Sequence, residues 1–272
     1  VTRLLTGFAP TRKVIHRAAG KKLKAFFGGN LRFYGIGGAP LAPDVEKFLI
    51  EARFPYAIGY GLTETAPLLS GFGPSAAVYR SVGTPLPELD LRIENPDPVT
   101  GEGEIVAKGP NIMNGYFKNE AQTREVFTKD GYFRTGDLGF VDRKGILFIR
   151  GRLKNMILGP NGENIYPEEI EALINETAYI NESLVMQYKG KLVARVHLNI
   201  EQLEQRFVDM RSNANDFHHH MQEKAEELMD EVLAHVNQHV SSNSRLQMII
   251  IQSDPFEKTP TQKIKRFLYN KG

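Results

Sequence analysis

Cysteine is absent from this chain of 272 residues. Without it the protein can form neither disulfide bonds nor thiolate metal sites, which suits a reducing compartment. Long apolar runs are also absent, because stretches such as Met248–Ile251 are far shorter than the roughly 20 residues of a membrane-spanning helix. Residues 1–20 contain no apolar segment of signal-peptide length. We therefore expect a cytoplasmic protein without a transmembrane segment, whose membrane association, if any, is peripheral.

The chain has little net charge, since 34 basic and 32 acidic side chains leave +2. This balance gives no electrostatic reason to expect nucleic-acid binding. The length is sufficient for one large domain or two small ones. The first residue is Val1 rather than methionine, as expected of a fragment or a processed product.

The histidines are weak candidates for a metal site. Consecutive positions project about 100° apart on a helix, so His218, His219 and His220 cannot all face one ion. His235 and His239 have the spacing of a zinc motif, but no glutamate follows His235 as the HExxH pattern requires. We expect no metal ion at either group.

The first 60 residues predict a parallel α/β unit. A basic amphipathic helix in residues 1–29 ends at two glycines. A strand (Leu31–Ile36), a helix (Pro43–Ala52) and a second strand (Tyr56–Tyr60) follow. Ligands bind beyond the carboxyl ends of the strands in such sheets. Residues 38–40 and 60–64 both fall at such ends.

The rest of the chain predicts a change of architecture at two points. Short β-prone runs separated by glycine and proline predict a small antiparallel barrel or sandwich. Beyond it we expect an α+β domain with a helix from Pro167, a hairpin turning at 189–191, helices within 201–240, a strand over 246–251 and a last helix over 262–269. The expected boundaries are 1–79 for the α/β part, 80–150 for the β-barrel-like part, 151–155 for a hinge and 156–272 for a mobile C-terminal domain.

The stretch Gly151–Glu171 follows the β-barrel-like part and leads into the C-terminal domain. It joins a basic strand end to a glycine loop and a helix. Arg152 and Lys154 follow a strand-like run, and two glycines and a proline then favour turns. Pro167 with two acidic residues behind it is typical of a helix N-terminus. On composition alone, an ordinary connection between two elements explains this stretch.

Five motifs in order resemble those of the adenylate-forming superfamily, which comprises acyl-CoA synthetases, peptide-synthetase adenylation domains and luciferases. They cover about residues 30–266. The motifs are Tyr60–Glu64 (YGxTE), Gly103-Glu104 through Gly109-Pro110 to Gly115-Tyr116, Tyr132–Asp137 (YxTGD), the hinge-and-loop stretch 151–171, and the lysine motif Lys258–Arg266.

Within the superfamily, the chain most resembles a long-chain fatty acid–CoA ligase. The loop 161–164, the helix start 167–171 and residues 259–266 are similar to that group. Gln262 stands where most members have glycine, and this departure fits the long-chain branch. The family's Ser/Thr/Gly-rich phosphate loop is not in this chain, which is therefore similar to the C-terminal half of the enzyme. We expect no ligase activity from the chain alone.

The resemblance implies a reaction that uses ATP, Mg²⁺ and coenzyme A to activate a fatty acid, with AMP as a product. It assigns Lys263 to adenylation, the hydroxyl of Thr63 to the α-phosphate and the carboxylate of Glu64 to Mg²⁺. It assigns both ribose hydroxyls to Asp137 and a nearby positive charge to Arg152.

Further positions follow from the same resemblance. Tyr60 lies against adenine, and the other expected nucleotide-binding positions are Gly38, Ala39, Pro40, Gly59 and Gly61. Lys154 is the hinge about which the small domain rotates, so that Lys263 enters the site in one orientation. In the other orientation the loop around Gly162 enters and leaves room for the pantetheine arm of coenzyme A.

Two other functions stay open at this point. Fatty acyl-AMP ligases pass the acyl group to a carrier protein, but the intact hinge-and-loop motif favours coenzyme A as the acceptor. A non-catalytic nucleotide-binding or interaction module would explain the missing phosphate loop. A phosphate loop encoded upstream of Val1 would favour the ligase over the module.

Overall fold

The computed structural model describes residues 9–73, 76–207, 214–260 and 262–269. The chain divides into two compact units, residues 1–154 and 155–272. The division falls inside the stretch 151–155 where the sequence predicts a hinge. Rotation about that hinge stays a prediction.

The first unit begins with the α/β arrangement that the sequence predicts. Strand β1 (Tyr34–Ile36) pairs in parallel with β2 (Tyr56–Tyr60), and helix α2 (Pro43–Glu51) connects them. Proline at the start of α2 and acidic residues in its first turn favour this helix N-terminus. The parallel unit is therefore confirmed, and the carboxyl ends of its two strands lie side by side.

Helix α1 (Ala9–Phe26) packs on α2 through a partly buried carboxylate. Glu51 lies 2.8 Å from Nη2 of Arg12 and 2.7 Å from Nδ1 of His16. The Arg12 guanidinium holds the pKa of Glu51 below its usual value. The glycine closure is confirmed, since the amide of Gly28 donates to the carbonyl of Ala25 at 3.0 Å.

The sheet of the α/β part continues beyond the boundary expected at residue 79. Strands β3 (Ser70–Gly71) and β4 (Thr84–Pro85) extend it in the order β1-β2-β3-β4. The buried Glu46 of α2 accepts hydrogen bonds from the Arg80 amide at 3.1 Å and the Tyr56 hydroxyl at 3.3 Å. Burial raises the pKa of Glu46 above its usual value, although the hydrogen bonds from Arg80 and Tyr56 act in the opposite direction.

A second sheet of the first unit is antiparallel, with the strand order β5-β6-β7-β8. Within the described residues it is an open sheet rather than a closed barrel. Phe133 and Val141, which lie in separate short runs of the sequence, are the two ends of one strand. The elements are β5 (Asp90–Glu94), β6 (Gly103–Lys108), the short helix α3 (Glu120–Glu125), β7 (Phe133–Val141) and β8 (Leu147–Arg152).

The second unit opens with a small hairpin and contains a three-stranded sheet. Its strands are β9 (Ile157–Leu158), β10 (Asn164–Ile165), β11 (Ile180–Tyr188), β12 (Lys191–Leu198) and β13 (Met248–Gln252). β9 and β10 pair with each other, and the larger sheet has the order β11-β12-β13. The predicted β11–β12 hairpin is confirmed: Lys189 and Gly190 both have positive φ, as a two-residue type I′ turn requires.

Three helices share an apolar core with this sheet: α4 (Pro167–Asn175), α5 (Ile200–Phe207) and α6 (Ala214–His239). The two helices predicted over 201–240 correspond to α5 and α6. Core side chains from helices and strands include Ile170, Ile174, Val185, Val196, Leu203 and Val232. Within the described residues, no helix has the length and apolar composition that crossing a bilayer requires.

The last helix predicted over 262–269 is wrong, because only Arg266–Leu268 form a 3₁₀ turn. Lys258 and Ile264 instead form an antiparallel bridge, and the Thr259 amide donates to the Lys263 carbonyl at 2.8 Å. Gln262 has φ +62°, which an α-helix does not accommodate. Local hairpin pairing therefore outweighs the helical propensity of this stretch. The α/β and α+β fold class is otherwise confirmed.

Candidate active site

Asp137 contacts two other predicted site residues of the first unit, Arg152 and Tyr60. It stands opposite Arg152 in the β7–β8 pairing, and Nε of Arg152 lies 2.7 Å from its Oδ1. The Tyr60 hydroxyl, at the end of β2, donates to Oδ2 at 2.7 Å. The two sheets thus meet at this carboxylate.

Hydrogen bonds and an ion pair fix the position of Asp137. Its side chain is 7% exposed, whereas that of Arg152 is 36% exposed and reaches solvent. Its amide donates to Oγ1 of Thr135 at 3.1 Å, and the Thr135 hydroxyl donates to the carbonyl of Ile105 at 2.7 Å. A carboxylate offers about four acceptor positions. The contacts with Tyr60 and Arg152 use two of these positions. Binding of ribose hydroxyls by Asp137 stays a prediction.

Tyr60 is a buried residue of the apolar cluster that also contains Leu69, Ile105 and Leu147. Burial, together with the neighbouring Asp137 charge, raises its pKa well above the usual value of 10. The phenol therefore stays a hydrogen-bond donor. With 7% of the residue exposed, the geometry favours a role in holding Asp137. Its contact with adenine stays a prediction.

The chain reverses sharply after β2, which presents Thr63 and Glu64. A Cβ on Gly61 would lie 1.7 Å from the Pro67 carbonyl oxygen, so no side chain fits at this position. The following 3₁₀ turn, Thr63–Thr65, is capped by the Thr65 hydroxyl, which accepts the Leu62 amide at 2.9 Å. Thr63 is exposed and Glu64 is half-buried.

Glu64 offers a single carboxylate oxygen to a metal ion. Its Oε1 accepts the Tyr116 hydroxyl at 3.0 Å, and the described residues supply no partner for Oε2. Among the described residues, no three histidine, aspartate or glutamate side chains are grouped to hold a metal. Mg²⁺ is usually held by one or two carboxylates together with substrate phosphates. Glu64 therefore fits a magnesium ion that arrives with a nucleotide.

The remaining predicted nucleotide positions lie at the same sheet edge. A Cβ on Gly37 would stand 3.3 Å from the Gly59 carbonyl oxygen, so the ends of β1 and β2 are adjacent. Gly38, Ala39 and Pro40 follow directly and are exposed. Their backbone is therefore accessible at the edge where Tyr60 ends its strand.

Lys263 lies in a short loop of the second unit, and its side chain is exposed. Hydrogen bonds between Thr259 and Lys263 close the loop: Thr259 N to Lys263 O at 2.8 Å and Lys263 N to Thr259 Oγ1 at 3.2 Å. Within the described residues the Lys263 ammonium has no ion-pair partner. The neighbouring Thr261 lies outside the described residues.

Two ion pairs hold the ends of this loop, and sequence reasoning missed both. Lys258 lies 2.5 Å from Glu182, and Arg266 contacts Glu171 of α4. The Glu171 carboxylate also accepts the Val185 amide at 2.6 Å. Burial raises the pKa of Glu171 to about 7, although Arg266 and the amide favour its charged form. One signal in the sequence could have indicated the pair with Arg266. Glu171 follows the apolar Ile170, and both residues are buried in α4.

Gly162 lies in the exposed loop between β9 and β10. Its φ is +83°, and its amide donates to the Gly159 carbonyl at 3.0 Å. A Cβ at this position would meet no atom within 4 Å. The loop is folded upon itself by Glu163, whose Oε2 accepts the Asn161 amide at 3.1 Å.

The histidines of the second unit show no ligand geometry where they are described. The side chains of His218, His219 and His220 lie outside the described part of the structure. His235 and His239 have ring centroids 4.4 Å apart, and Nδ1 of His239 is 2.8 Å from the backbone oxygen of His235.

The fold and the motif geometry define the class of protein. The sequence model of the family described as AMP-binding enzyme matches residues 4–117. Residues 4–117 thus form part of an AMP-binding family domain, and the resemblance to adenylate-forming enzymes stated from the motifs is confirmed.

Particular relatives include two kinds of CoA ligase. Peroxisomal long chain acyl-CoA synthetase 7 of Arabidopsis thaliana is 34% identical over 192 residues, covering 66% of this chain and 27% of the relative. The 2-succinylbenzoate–CoA ligase of Bacillus licheniformis is 38% identical over 173 residues, covering 62% and 36%. Both belong to the CoA ligase class.

A solved structure shows the same fold. O-succinylbenzoate coenzyme A synthetase from Bacillus subtilis, in complex with AMP, is 25% identical with a TM-score of 0.70. The alignment covers 89% of this chain and 46% of that protein. The present chain thus spans less than half of each of these three relatives.

Proposed function

We propose that this chain is the C-terminal part of an ATP-dependent, AMP-forming long-chain fatty acid–CoA ligase. The observation that carries the proposal is the buried Asp137, held between Tyr60 and Arg152 at the position of the family's ribose-binding motif. The match of residues 4–117 to AMP-binding enzymes supports the nucleotide. The Arabidopsis relative supports the long-chain acid.

In the first step, a carboxylate oxygen of the fatty acid attacks the α-phosphorus of ATP and pyrophosphate leaves. Asp137 accepts the ribose hydroxyls and thereby fixes the sugar. The Thr63 hydroxyl donates to the α-phosphate, and the ammonium of Lys263 offsets the negative charge that develops there. Glu64 would hold Mg²⁺, which would neutralise phosphate charge when bound.

In the second step, the coenzyme A thiolate attacks the acyl carbonyl and AMP leaves. The second unit rotates at Lys154, so that the Gly162 loop replaces Lys263 at the site. The exposed position of Gly162 and the space around it support passage of a pantetheine arm. We propose a cytoplasmic location for this enzyme, with peripheral membrane association through its lipid substrate.

A different acid is the second candidate, because the Bacillus relative is a ligase for 2-succinylbenzoate at a similar identity. The full-length protein that contains this chain can be incubated with ATP, Mg²⁺, coenzyme A and either palmitate or 2-succinylbenzoate. We expect palmitoyl-CoA and AMP, identified by mass spectrometry. A thioester from 2-succinylbenzoate alone would overturn the proposed acid.

The acceptor is tested in the same reactions. Palmitoyl-AMP that accumulates while coenzyme A stays unconsumed would favour carrier-protein loading over CoA ligation. The 272-residue chain alone serves as the control, and we expect it to form no thioester because the phosphate loop lies outside it. No nucleotide binding or turnover by the full-length protein would instead favour a non-catalytic module.

A further inference from the structure

Tyr116 makes the direct side-chain contact to the proposed magnesium ligand. Its hydroxyl donates to Oε1 of Glu64 at 3.0 Å, across 52 residues of sequence. The amide of Met113, three positions earlier, donates to the backbone oxygen of Glu64 at 2.8 Å. Both the side chain and the main chain of Glu64 are therefore fixed by the loop that follows β6.

The same loop also holds the rest of the turn that carries Glu64. The Asn111 side-chain amide donates to the carbonyls of Thr65 at 2.7 Å and Leu68 at 2.8 Å. Asn111 thus holds the residues that follow Glu64, and Tyr116 holds Glu64 itself. Motion of the 3₁₀ turn would break several hydrogen bonds to one loop.

Tyr116 is itself fixed by the short helix α3. Its amide donates to Oγ1 of Thr123 at 2.9 Å, and the Thr123 hydroxyl donates to the Asn119 carbonyl at 2.8 Å. Burial and the hydrogen bond to Glu64 raise the pKa of Tyr116.

We infer that Tyr116 is a positioning residue for Glu64, which it holds as a ligand with a single free oxygen for the magnesium ion of bound ATP. The inference rests on the proposed function of Glu64. With Oε1 engaged by the Tyr116 hydroxyl, the carboxylate of Glu64 cannot rotate freely. Mg²⁺ demands near-ideal octahedral geometry and keeps several waters, so a fixed oxygen lowers the cost of ordering the ligand.

Tyr132 provides a matched control for the loss of a tyrosine hydroxyl. Its hydroxyl also donates to a carboxylate, that of Asp90. Asp90 is exposed and Tyr132 is half-buried, and both lie far from Glu64 in the sequence. Tyr132→Phe removes a hydrogen bond of the same kind without removing a contact to Glu64. A purely structural role would give Tyr116→Phe and Tyr132→Phe the same effect.

The test measures metal binding rather than turnover. Mn²⁺, in place of Mg²⁺, is titrated into the full-length protein with ATP and no acid substrate, and free Mn²⁺ is followed by electron paramagnetic resonance. We expect Tyr116→Phe to weaken Mn²⁺ binding about tenfold, on the scale of lost support to a metal ligand. Glu64→Gln should weaken it further, and Tyr132→Phe should leave it unchanged.

The double variant separates the inference from the function on which it rests. We expect Tyr116→Phe with Glu64→Gln to bind Mn²⁺ no more weakly than Glu64→Gln alone. Unchanged binding in Tyr116→Phe, or additive losses in the double variant, would overturn the positioning role. Unchanged binding in Glu64→Gln would instead overturn the metal-binding role proposed for Glu64.

Discussion

The hydroxyl of Tyr60 donates a 2.7 Å hydrogen bond to Oδ2 of Asp137, which lies 77 residues away in the sequence. The contact joins the end of the parallel pair to the antiparallel sheet. With Arg152 on the other carboxylate oxygen, it fixes the group expected to bind ribose. The proposed nucleotide site therefore depends on a buried tyrosine that need not touch the base.

Tyr60→Phe should weaken AMP binding by the full-length protein roughly tenfold, because a hydrogen bond to a charged group contributes about 1.5–3 kcal/mol. Calorimetric titration with AMP measures this change. Tyr56→Phe is the matched control, since it removes a hydrogen bond to the buried Glu46 from the same strand. Equal loss of AMP affinity in both variants would show that a general loosening of β2 is responsible.

Glu171 should make the stability of the second unit depend on pH. Its pKa is about 7 in the fold against an ordinary 4.5, so the folded state binds the proton more tightly. The resulting stabilisation is complete below about pH 4.5 and is lost as the pH rises through about 7. Compared with Glu171→Gln, the wild type should lose on the order of 3 kcal/mol of unfolding free energy across this range.

Denaturant unfolding of the chain, followed by circular dichroism between pH 4 and 8, measures this difference. Glu171→Gln keeps the size of the side chain and removes its titration. Parallel stability curves for the two proteins would contradict the effect assigned to burial of Glu171.

Gln262→Gly should leave the second unit as stable or make it more stable, by up to about 1 kcal/mol. Gln262 has φ +62°, a left-handed conformation in which a side chain costs about 1–2 kcal/mol and glycine costs none. The entropy that glycine gains in the unfolded chain offsets part of this benefit. Gln262→Val should destabilise the unit, and thermal unfolding compares the three proteins. A glycine variant less stable than the wild type would contradict this account of the loop.

Gly162→Leu should block thioester formation from synthetic acyl-adenylate and spare adenylation, because its side chain fills the path proposed for pantetheine. Any side chain at φ +83° is strained, so Gly162→Ala is needed as a control with the same backbone cost. We expect Gly162→Ala to retain most of the thioester rate in the full-length protein. Equal losses in both variants would assign the effect to the backbone rather than to the blocked path.

Local sequence patterns predicted much of the fold. Proline and acidic residues marked the start of α4, and a glycine turn marked the β11–β12 hairpin. The pairs that fix the site leave no such pattern: Tyr116 with Glu64 and Arg266 with Glu171 are 52 and 95 residues apart. The last helix was wrong for a related reason, since pairing of Lys258 with Ile264 outweighs local propensity.

The division of labour between the two half-reactions tests the central claim most directly. Lys263→Ala in the full-length protein should slow pyrophosphate release at least roughly a hundredfold, the scale of one preorganised electrostatic group. Lys265→Ala is the control. Lys265 is two residues after Lys263 in the same loop, but its ammonium pairs with Glu257. Supplied acyl-adenylate should still react with coenzyme A at near the parental rate in both variants. Equal losses in both half-reactions for Lys263→Ala would contradict the account and leave Lys263 as a general structural residue.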